Sequence, residues 1–453
     1  MQIRHATIFT TALCNLNCKY CYICKDTAGG LKHIDEDIIQ SFENREFIKT
    51  ILSFGDNIEE TLEGIGLWGG EPLLHSERFT NQIKDWFIAF PNLKNFDTST
   101  NFALPNAVDQ LSDLLNAINK YGPNLHYTFS LQISIDGYEE MTDFGRGQNV
   151  TKNLLNNFYK LLSLDYNKNK IFLRVTIKPT VSKETFKFLD TVEKCQKWFD
   201  FFNEKMWNPW NESGRPFDFS LSQFNCALPT EWTKEDGKEF AKITENLSKI
   251  DLTNLDGWKG FYNGIPMAQR IIASKIANKN FKHPYCGGSC GSFITSITPI
   301  PGGIFTVCHR GLFDNYVEYC NNTNNLDYMN GLSKTYFAAS DRKKWILTVD
   351  ELKQMHHTMS YLETCPHQIL YTDYMIFIKE YAKAGIIDKK YLDPKEIEKT
   401  LAHYLDNSYC MQDGFIQSGS WTTVSSYEIP LMYNGAMDIV IREVDKFMEK
   451  MGG

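Results

Sequence analysis

The chain has 453 residues, which is too long for one small core and predicts two or three domains, or one large barrel with an appendage. It carries 47 Lys and Arg against 55 Asp and Glu, a net charge of −8, which argues against a general affinity for nucleic acid or anionic membranes. The first residues lack the pattern of a secretory signal, and no apolar run reaches the roughly 18 residues of a membrane span. We therefore expect a soluble, cytoplasmic protein whose twelve cysteines bind metal or lie buried rather than form disulfides.

Strand-like and helical stretches alternate through the first half of the chain. Short runs of β-branched and aromatic residues predict six strands, at residues 3–10, 65–68, 95–100, 127–135, 172–177 and 217–224. Apolar residues at helical spacing predict helices at residues 105–119, 151–164 and 183–202, and a helix capped by Asp35 that runs to about Leu52. The alternation is typical of a parallel α/β sheet or an incomplete (β/α) barrel, in which functional side chains follow the strands.

The pattern changes after about residue 230. Residues 236–280 have helical character, and residues 293–308 predict two short strands around a Pro-Gly-Gly turn. Residues 366–453 are predicted to be mainly helical.

Residues 11–24 read TALCNLNCKYCYIC and contain the spacing CxxxCxxC at Cys14, Cys18 and Cys21. A short loop of this kind can place three thiolates around one metal centre. An iron–sulfur cluster held by three cysteines has one iron without a protein ligand, which is open to a small molecule. A zinc site with Cys24 as its fourth ligand is an alternative, as is part of a ferredoxin pattern formed by Cys18, Cys21 and Cys24.

A second motif helps to distinguish among these three kinds of metal site. The strand at residues 65–68 ends in Gly69-Gly70-Glu71-Pro72, and glycines let a backbone approach a ligand closely. Together with the cysteine spacing and the aromatic Tyr20, this turn resembles the radical S-adenosylmethionine (radical SAM) enzymes over roughly the first 230 residues. The resemblance implies that the three cysteines hold a [4Fe–4S] cluster whose open iron binds SAM. It also implies reductive cleavage of SAM to methionine and a 5'-deoxyadenosyl radical, which abstracts hydrogen from a substrate.

Two later segments extend the resemblance. Ser99-Thr100-Asn101 is similar to the TNG-type motif of the family, with Phe102 in place of the glycine. The segment ISIDGYEEMTDFGR at residues 133–146 is similar to the family's SxDG...HDxxR segment, with Thr142 where histidine is usual. The resemblance assigns SAM contacts to Tyr20, Gly69, Gly70, Glu71, Pro72, Ser99, Asn101, Ser134 and Arg146.

A second group of cysteines lies in the last third of the chain. Cys290, Gly303 and Cys308 are spaced as at the start of a SPASM or twitch domain, which binds auxiliary iron–sulfur clusters. This resemblance implies at least one auxiliary [4Fe–4S] cluster, and a structural zinc site is the alternative. The candidate auxiliary ligands are Cys286, Cys290, Cys308, Cys320 and Cys365. We expect the other cysteines, Cys195, Cys226 and Cys410, to be buried small apolar residues.

The predicted fold is α/β, a partial (β/α)6 TIM-type barrel with a C-terminal twitch/SPASM-like iron–sulfur domain and a helical extension. We expect the barrel in residues 1–230, a helical linker in 231–285, the auxiliary domain in 286–365 and the extension in 366–453.

The subgroup resemblance implies a peptide or protein substrate, such as a ribosomally made peptide that is cross-linked, epimerised or oxidised. It also implies an external electron donor of the flavodoxin or ferredoxin type. Since this chain enters its first strand at about Ile3, leader recognition would fall to a separate protein or to the tail after Cys365. The alternatives are oxidation of a protein in the manner of anaerobic sulfatase-maturing enzymes, a small-molecule dehydrogenase, and a non-catalytic zinc or electron-transfer protein. Nothing in the spacing selects a catalytic base among Glu139, Glu140, Asp143 and Asp218.

Overall fold

A computed structural model describes residues 2–21, 23, 30–221, 225–226, 296–306 and 346–353, with residues 239, 242–243, 246–247, 249–250, 393 and 395. Its strands in chain order are β1 (His5–Thr11), β2 (Gly64–Gly69), β3 (Asn95–Thr100), β4 (Tyr127–Ile133), β5 (Ile171–Ile177), β6 (Thr180–Val181), β7 (Asp218–Leu221), β8 (Asn225–Cys226), β9 (Ser296–Ile297), β10 (Pro299–Ile300), β11 (Ile304–Thr306) and β12 (Ile346–Leu347). Seven of them form one parallel sheet in the order β7-β5-β4-β3-β2-β1-β9. The predicted α/β class is therefore confirmed.

The sheet is ordered almost as the strands follow in the chain. Each strand from β1 to β5 lies beside the next one, and β7 follows β5. Parallel strands of this kind are joined by right-handed crossovers, which place successive helices on the same face of the sheet. Burial alternates accordingly: in β4 every second residue, from Tyr127 to Ile133, is buried, whereas the residues between them are half-buried.

The helices lie between the strands. They are α1 (Gly30–Glu43), α2 (Glu46–Ser53), α3 (Ile58–Thr61), α4 (Glu77–Thr80), α5 (Ile83–Ala89), α6 (Ala107–Tyr121), α7 (Glu139–Arg146), α8 (Val150–Leu162), α9 (Val192–Phe202) and α10 (Asn208–Glu212). Helix α6 matches the helix predicted at residues 105–119 from its apolar spacing. The apolar residues at that spacing, Leu111, Leu114, Leu115 and Ile118, are all buried against the core. The described residues contain no helix that is long and apolar enough to cross a membrane.

Three predicted helix features are wrong in detail. Helix α1 begins at Gly30, so Asp35 lies inside the helix instead of capping it. The single helix predicted to run to about Leu52 is two helices, α1 and α2, and Arg45 between them has a φ of +52°. The predicted helix at residues 183–202 is two elements, a 3-10 helix at Lys183–Phe188 and then α9. The break occurs at Thr191, whose backbone is extended and whose hydroxyl caps α9 by accepting from the backbone N–H of Lys194.

The predicted hairpin at residues 293–308 contains β10 and β11, which pair antiparallel around the Pro-Gly-Gly turn. The sequence did not indicate that β9, immediately before the hairpin, pairs with β1 at the edge of the large sheet. The ring of His5 lies 3.3 Å from the hydroxyl of Ser296 across this pairing. Most of residues 236–280, and nearly all of residues 366–453, lie outside the described residues.

Candidate functional site

The cysteine loop (residues 12–21) leaves the carboxyl end of β1, at the edge where the parallel strands end. Cys14 is exposed, and Cys18 and Cys21 are half-buried. The backbone N–H of Leu16 donates to the sulfur of Cys14 at 3.4 Å. Desolvation by the surrounding protein raises the pKa of the Cys14 thiol well above its ordinary value. The negative charges of Glu71, Cys18 and Cys21 add smaller increases. The three cysteines are thus near enough to influence one another's charge.

The donor set of this loop suits a cluster, since thiolates are the usual ligands of iron–sulfur centres. The three sulfurs are not arranged around a common point in this structure. Among the described residues, no three Cys, His, Asp or Glu side chains lie close enough together to hold a metal ion. Cys24 and the auxiliary candidates Cys286, Cys290, Cys308, Cys320 and Cys365 lie outside the described residues.

The start of the loop is held by an N-terminal clamp, formed by Asp35 of α1 and Arg78 of α4. The two side chains pair in a bidentate arrangement with N–O distances of 3.1 and 3.0 Å. Asp35 also accepts from the backbone N–H of Ala12 at 2.9 Å and from the hydroxyl of Thr11. Burial alone would raise the pKa of Asp35, but its bonds to Arg78, Thr11 and Ala12 outweigh that effect and hold the pKa below its usual value. The carboxylate therefore stays ionised while it fixes the end of β1.

The other end of the loop is held by a C-terminal clamp, formed by Tyr20, Asp136 and Arg146. Arg146 donates to both oxygens of Asp136, at 3.1 and 2.7 Å, and Asp136 is fully buried. The hydroxyl of Tyr20 also donates to Asp136, and the guanidinium of Arg146 lies 5.5 Å from the centre of the Tyr20 ring. The backbone N–H of Lys19 donates to the carbonyl of Gly145 at 2.8 Å. A Cβ at Gly145 would lie 2.8 Å from the Tyr20 ring, so this position must be glycine for the ring to fit.

Charge and burial set the protonation of this clamp. Burial raises the pKa of Tyr20 well above its ordinary value, and Arg146 offsets this only in part. Burial would lower the pKa of Arg146, but Asp136 and Tyr20 outweigh it and raise that pKa. Tyr20 thus remains a neutral donor and Arg146 a cation. Arg146 is only 6% exposed, and its guanidinium is paired with Asp136, which also binds Tyr20.

Thr142 stands where histidine is usual in the resembling family, and it closes the turn that carries Asp136. Its hydroxyl accepts from the backbone N–H of Gly137 at 3.0 Å and donates to the carbonyl of the same residue at 2.7 Å. The indole of Trp198 donates to the Asp136 carbonyl at 2.8 Å. The backbone around the C-terminal clamp is therefore held from two directions.

The Gly-Gly-Glu turn packs directly on the cysteine loop. The backbone N–H of Gly70 donates to the carbonyl of Thr11 at 3.1 Å, and that of Glu71 donates to Leu13 at 2.9 Å. A Cβ at Gly69 would lie 2.1 Å from the carbonyl oxygen of Thr11, and a Cβ at Gly70 would lie 2.4 Å from that of Leu13. The close approach that the glycines permit is thus an approach to the loop. The carbonyl of Pro72 accepts from the hydroxyl of Thr10 at 2.9 Å.

Glu71 is buried, and no cation among the described residues is paired with its carboxylate. One carboxylate oxygen accepts from the hydroxyl of Thr100 at 2.6 Å and from the backbone N–H of Leu73 at 3.1 Å. The other accepts from the backbone N–H of Asn101 at 2.7 Å. Burial raises the pKa of Glu71 to about 7, against the lowering effect of these hydrogen bonds. Its carboxylate joins the turn after β2 to the end of β3.

Phe102, which follows β3 in place of the motif's glycine, has a backbone conformation that is typical of glycine. Phe102 has φ of +54°, in the left-handed region that glycine adopts most easily. Its ring is fully buried, and its backbone N–H donates to the hydroxyl of Thr100 at 2.9 Å. Its carbonyl accepts from the side chain of Asn157 at 3.0 Å. These contacts hold a non-glycine residue in a conformation that few side chains adopt.

A row of polar side chains crosses the half-buried face of the sheet, and sequence reasoning found only part of it. Ser99, Gln132, Thr176 and Ser220 are register partners on β3, β4, β5 and β7. Gln132 donates to the hydroxyl of Ser99, and the hydroxyls of Thr176 and Ser220 lie 3.1 Å apart. Ser134 follows β4 on the same half-buried face, and its backbone N–H donates to Thr100. The signal was available in the alternation of polar and apolar residues along these strands.

The acidic residues considered as bases have other partners or lie on the surface. Glu140 pairs with Lys197, and Asp218 pairs with Arg174. Asp143 accepts from the backbone at the start of α8, and Glu139 is exposed. Cys195 is buried as predicted, and burial raises its pKa to about 12.

No protein-family model matches the chain, and no curated protein matches it. The site must therefore be interpreted from its own residues.

Proposed function

We propose that the protein is a radical SAM enzyme. Cys14, Cys18 and Cys21 would hold a [4Fe–4S] cluster at the carboxyl ends of the parallel strands. When bound and reduced, this cluster supplies the electron that cleaves SAM to methionine and a 5'-deoxyadenosyl radical. The proposed fold of this part is a partial (β/α)6 TIM-type barrel, which the sequential order of β1 to β5 and β7 supports.

The observation that carries the proposal is the contact between the cysteine loop and the Gly-Gly-Glu turn. The two motifs are distant in sequence, yet backbone bonds join Gly70 to Thr11 and Glu71 to Leu13. The lack of side chains at Gly69 and Gly70 makes this approach possible. A three-thiol loop seated on a Gly-Gly-Glu turn brings together the two motifs on which the resemblance to this family rests.

The residues around the loop would have different roles in binding SAM. Tyr20 is bonded to Asp136, which is bonded in turn to Arg146, so the loop would present an aromatic ring in a fixed position. We therefore propose that Arg146 positions Tyr20 and does not itself bind the SAM carboxylate. Ser99 and Ser134 present hydroxyls on the half-buried face of the sheet, where SAM or the substrate would lie.

We propose a peptide or protein as the substrate. The polar row of hydroxyl and amide groups on the half-buried face supports a substrate rich in hydrogen-bonding groups, as a peptide backbone is. Residues 286–365 would carry at least one auxiliary [4Fe–4S] cluster, and a flavodoxin- or ferredoxin-type protein would donate electrons.

Anaerobic reconstitution tests the proposal. The purified chain should bind roughly four irons with matching sulfide for each cluster, and it should release 5'-deoxyadenosine from SAM when dithionite is added. Replacing Cys14, Cys18 and Cys21 by Ala should abolish this release. Cys195→Ala is the matched control, because Cys195 is buried in α9, its thiol donates to the carbonyl of Leu189, and its loss should leave the release unchanged. A protein that binds zinc and forms no 5'-deoxyadenosine would overturn the proposal.

A further inference from the structure

Asn101 is oriented toward the cysteine loop by bonds on both sides of its amide. Its Oδ1 accepts from the backbone N–H of Ala103 at 2.9 Å. The amide nitrogen must then face the opposite way, where it lies 2.8 Å from Oδ1 of Asn15 and 3.7 Å from the sulfur of Cys14. The two hydrogens of the amide nitrogen match these two acceptors.

The backbone of Asn101 is held as firmly as its side chain. Its N–H donates to Glu71 at 2.7 Å, and the residue is only 7% exposed. All hydrogen-bonding atoms of the side chain are engaged within the protein. This arrangement leaves Asn101 no side-chain hydrogen to donate to SAM, the ligand that the sequence resemblance assigns to it.

We propose that Asn101 is a hydrogen-bond donor to the sulfur of Cys14 and raises the reduction potential of the cluster that this sulfur would bind. This inference rests on the proposed function. Hydrogen bonds to the sulfurs are one of the protein's means of setting a cluster's potential. The positive end of the N–H dipole stabilises the added electron, because the reduced cluster carries more negative charge on its ligands. Glu71 and Ala103 act through Asn101 by keeping its amide in place.

The test is a redox titration of the reconstituted full-length chain, monitored by EPR without SAM. The signal of the loop cluster is identified by its loss when Cys14, Cys18 and Cys21 are replaced by Ala. We expect Asn101→Ala to shift the midpoint potential of this signal to more negative values. Asn101→Asp preserves the size of the side chain and its bond to Ala103, and it should shift the potential in the same direction. It serves as the second variant if Asn101→Ala does not fold.

Asn157→Ala is the matched control. Asn157 is also a buried amide that holds this turn, through the carbonyls of Phe102 and Leu104, but its bonds do not reach Cys14. It should lower the melting temperature and leave the potential unchanged. An equal shift in Asn157→Ala, or no shift in either Asn101 variant, would overturn the inference. If the Asn101 variants bind SAM more weakly but keep an unchanged potential, the inference is also overturned, and Asn101 is then a SAM contact as the sequence resemblance implies. Absence of a loop cluster in the wild-type chain would instead overturn the proposed function, and this inference with it.

Discussion

The two ends of the cysteine loop are each held by an Asp–Arg pair, but the pairs differ in the groups that they bind and in their exposure to solvent. The N-terminal clamp binds mainly backbone: Asp35 accepts from the N–H of Ala12 as well as from the hydroxyl of Thr11, and Arg78 donates to the carbonyl of Thr10. The C-terminal clamp binds a side chain, the hydroxyl of Tyr20, 116 positions away from Asp136. Arg78 has a side chain that is 14% exposed, compared with 6% for Arg146.

The difference indicates separate tasks. A bond to backbone fixes where the loop begins, whatever side chains the loop carries. A bond to Tyr20 fixes one aromatic ring and depends on that residue. Glu71 is a third buried carboxylate, and within the described part of the chain it accepts from a hydroxyl and two backbone N–H groups. We therefore expect the three carboxylates to respond differently to substitution and to pH.

The largest effect should come from breaking the C-terminal clamp. Asp136→Ala leaves the buried guanidinium of Arg146 without its partner, and we expect a loss of about 3–5 kcal/mol in the free energy of unfolding. Urea denaturation of the reduced protein measures it. The double variant Asp136→Leu with Arg146→Met removes both charges and should recover much of the loss. A single variant as stable as the wild type would show that the pair does not hold this end of the loop.

Glu71 should make the protein less stable as the pH rises. Its folded-state pKa of about 7 lies above the ordinary value of 4.5, so the folded protein binds the proton more tightly than the unfolded chain does. The free energy of unfolding should therefore fall between pH 4.5 and pH 7, by on the order of 3 kcal/mol. Urea denaturation across this range measures the slope. Glu71→Gln cannot ionise and should give a flatter profile; an unchanged slope would contradict the burial argument.

The N-terminal clamp should be less costly to break. Asp35→Asn removes the charge that faces Arg78, but Arg78 keeps its bond to the carbonyl of Thr10 and some contact with solvent. We expect a loss of about 2 kcal/mol, the scale of a hydrogen bond to a charged group. Thermal unfolding measures the loss. Glu36→Gln on the same helix is the control, since Glu36 is exposed and should cause almost no change. A loss equal to that of Asp136→Ala would remove the distinction between the clamps.

The smallest effect should come from an exposed pair near the C-terminal clamp. Glu140 and Lys197 lie 2.9 Å apart, but their side chains are 62% and 52% exposed. We expect Glu140→Gln to change the free energy of unfolding by less than about 0.5 kcal/mol, and added salt to reduce the difference further. A large loss would mean that burial is not what separates the clamps from ordinary surface pairs.

The sequence by itself determined the parallel α/β pattern and the strands that carry the site. Period-two burial is a local property of a strand, so β3 was predicted with its observed bounds, Asn95–Thr100. The glycines at 69 and 70 were identified as places of close approach because a missing Cβ can be read from the sequence alone. The locations of Cys14, Cys18 and Cys21 after β1 followed in the same way.

Only the tertiary structure decided which side chains meet. Asp35 looked like a helix cap, because a carboxylate near a helix start is ordinarily local, and its actual partners are on β1 and α4. Arg146 and Asn101 were predicted from the resemblance to contact SAM, and the structure shows that Arg146 donates to Asp136 and Asn101 to the cysteine loop. The pairing of β9 with β1 likewise joins distant segments. Hydrogen bonds and ion pairs depend on distances in space, and these are set when the strands align their carboxyl ends along one edge of the sheet.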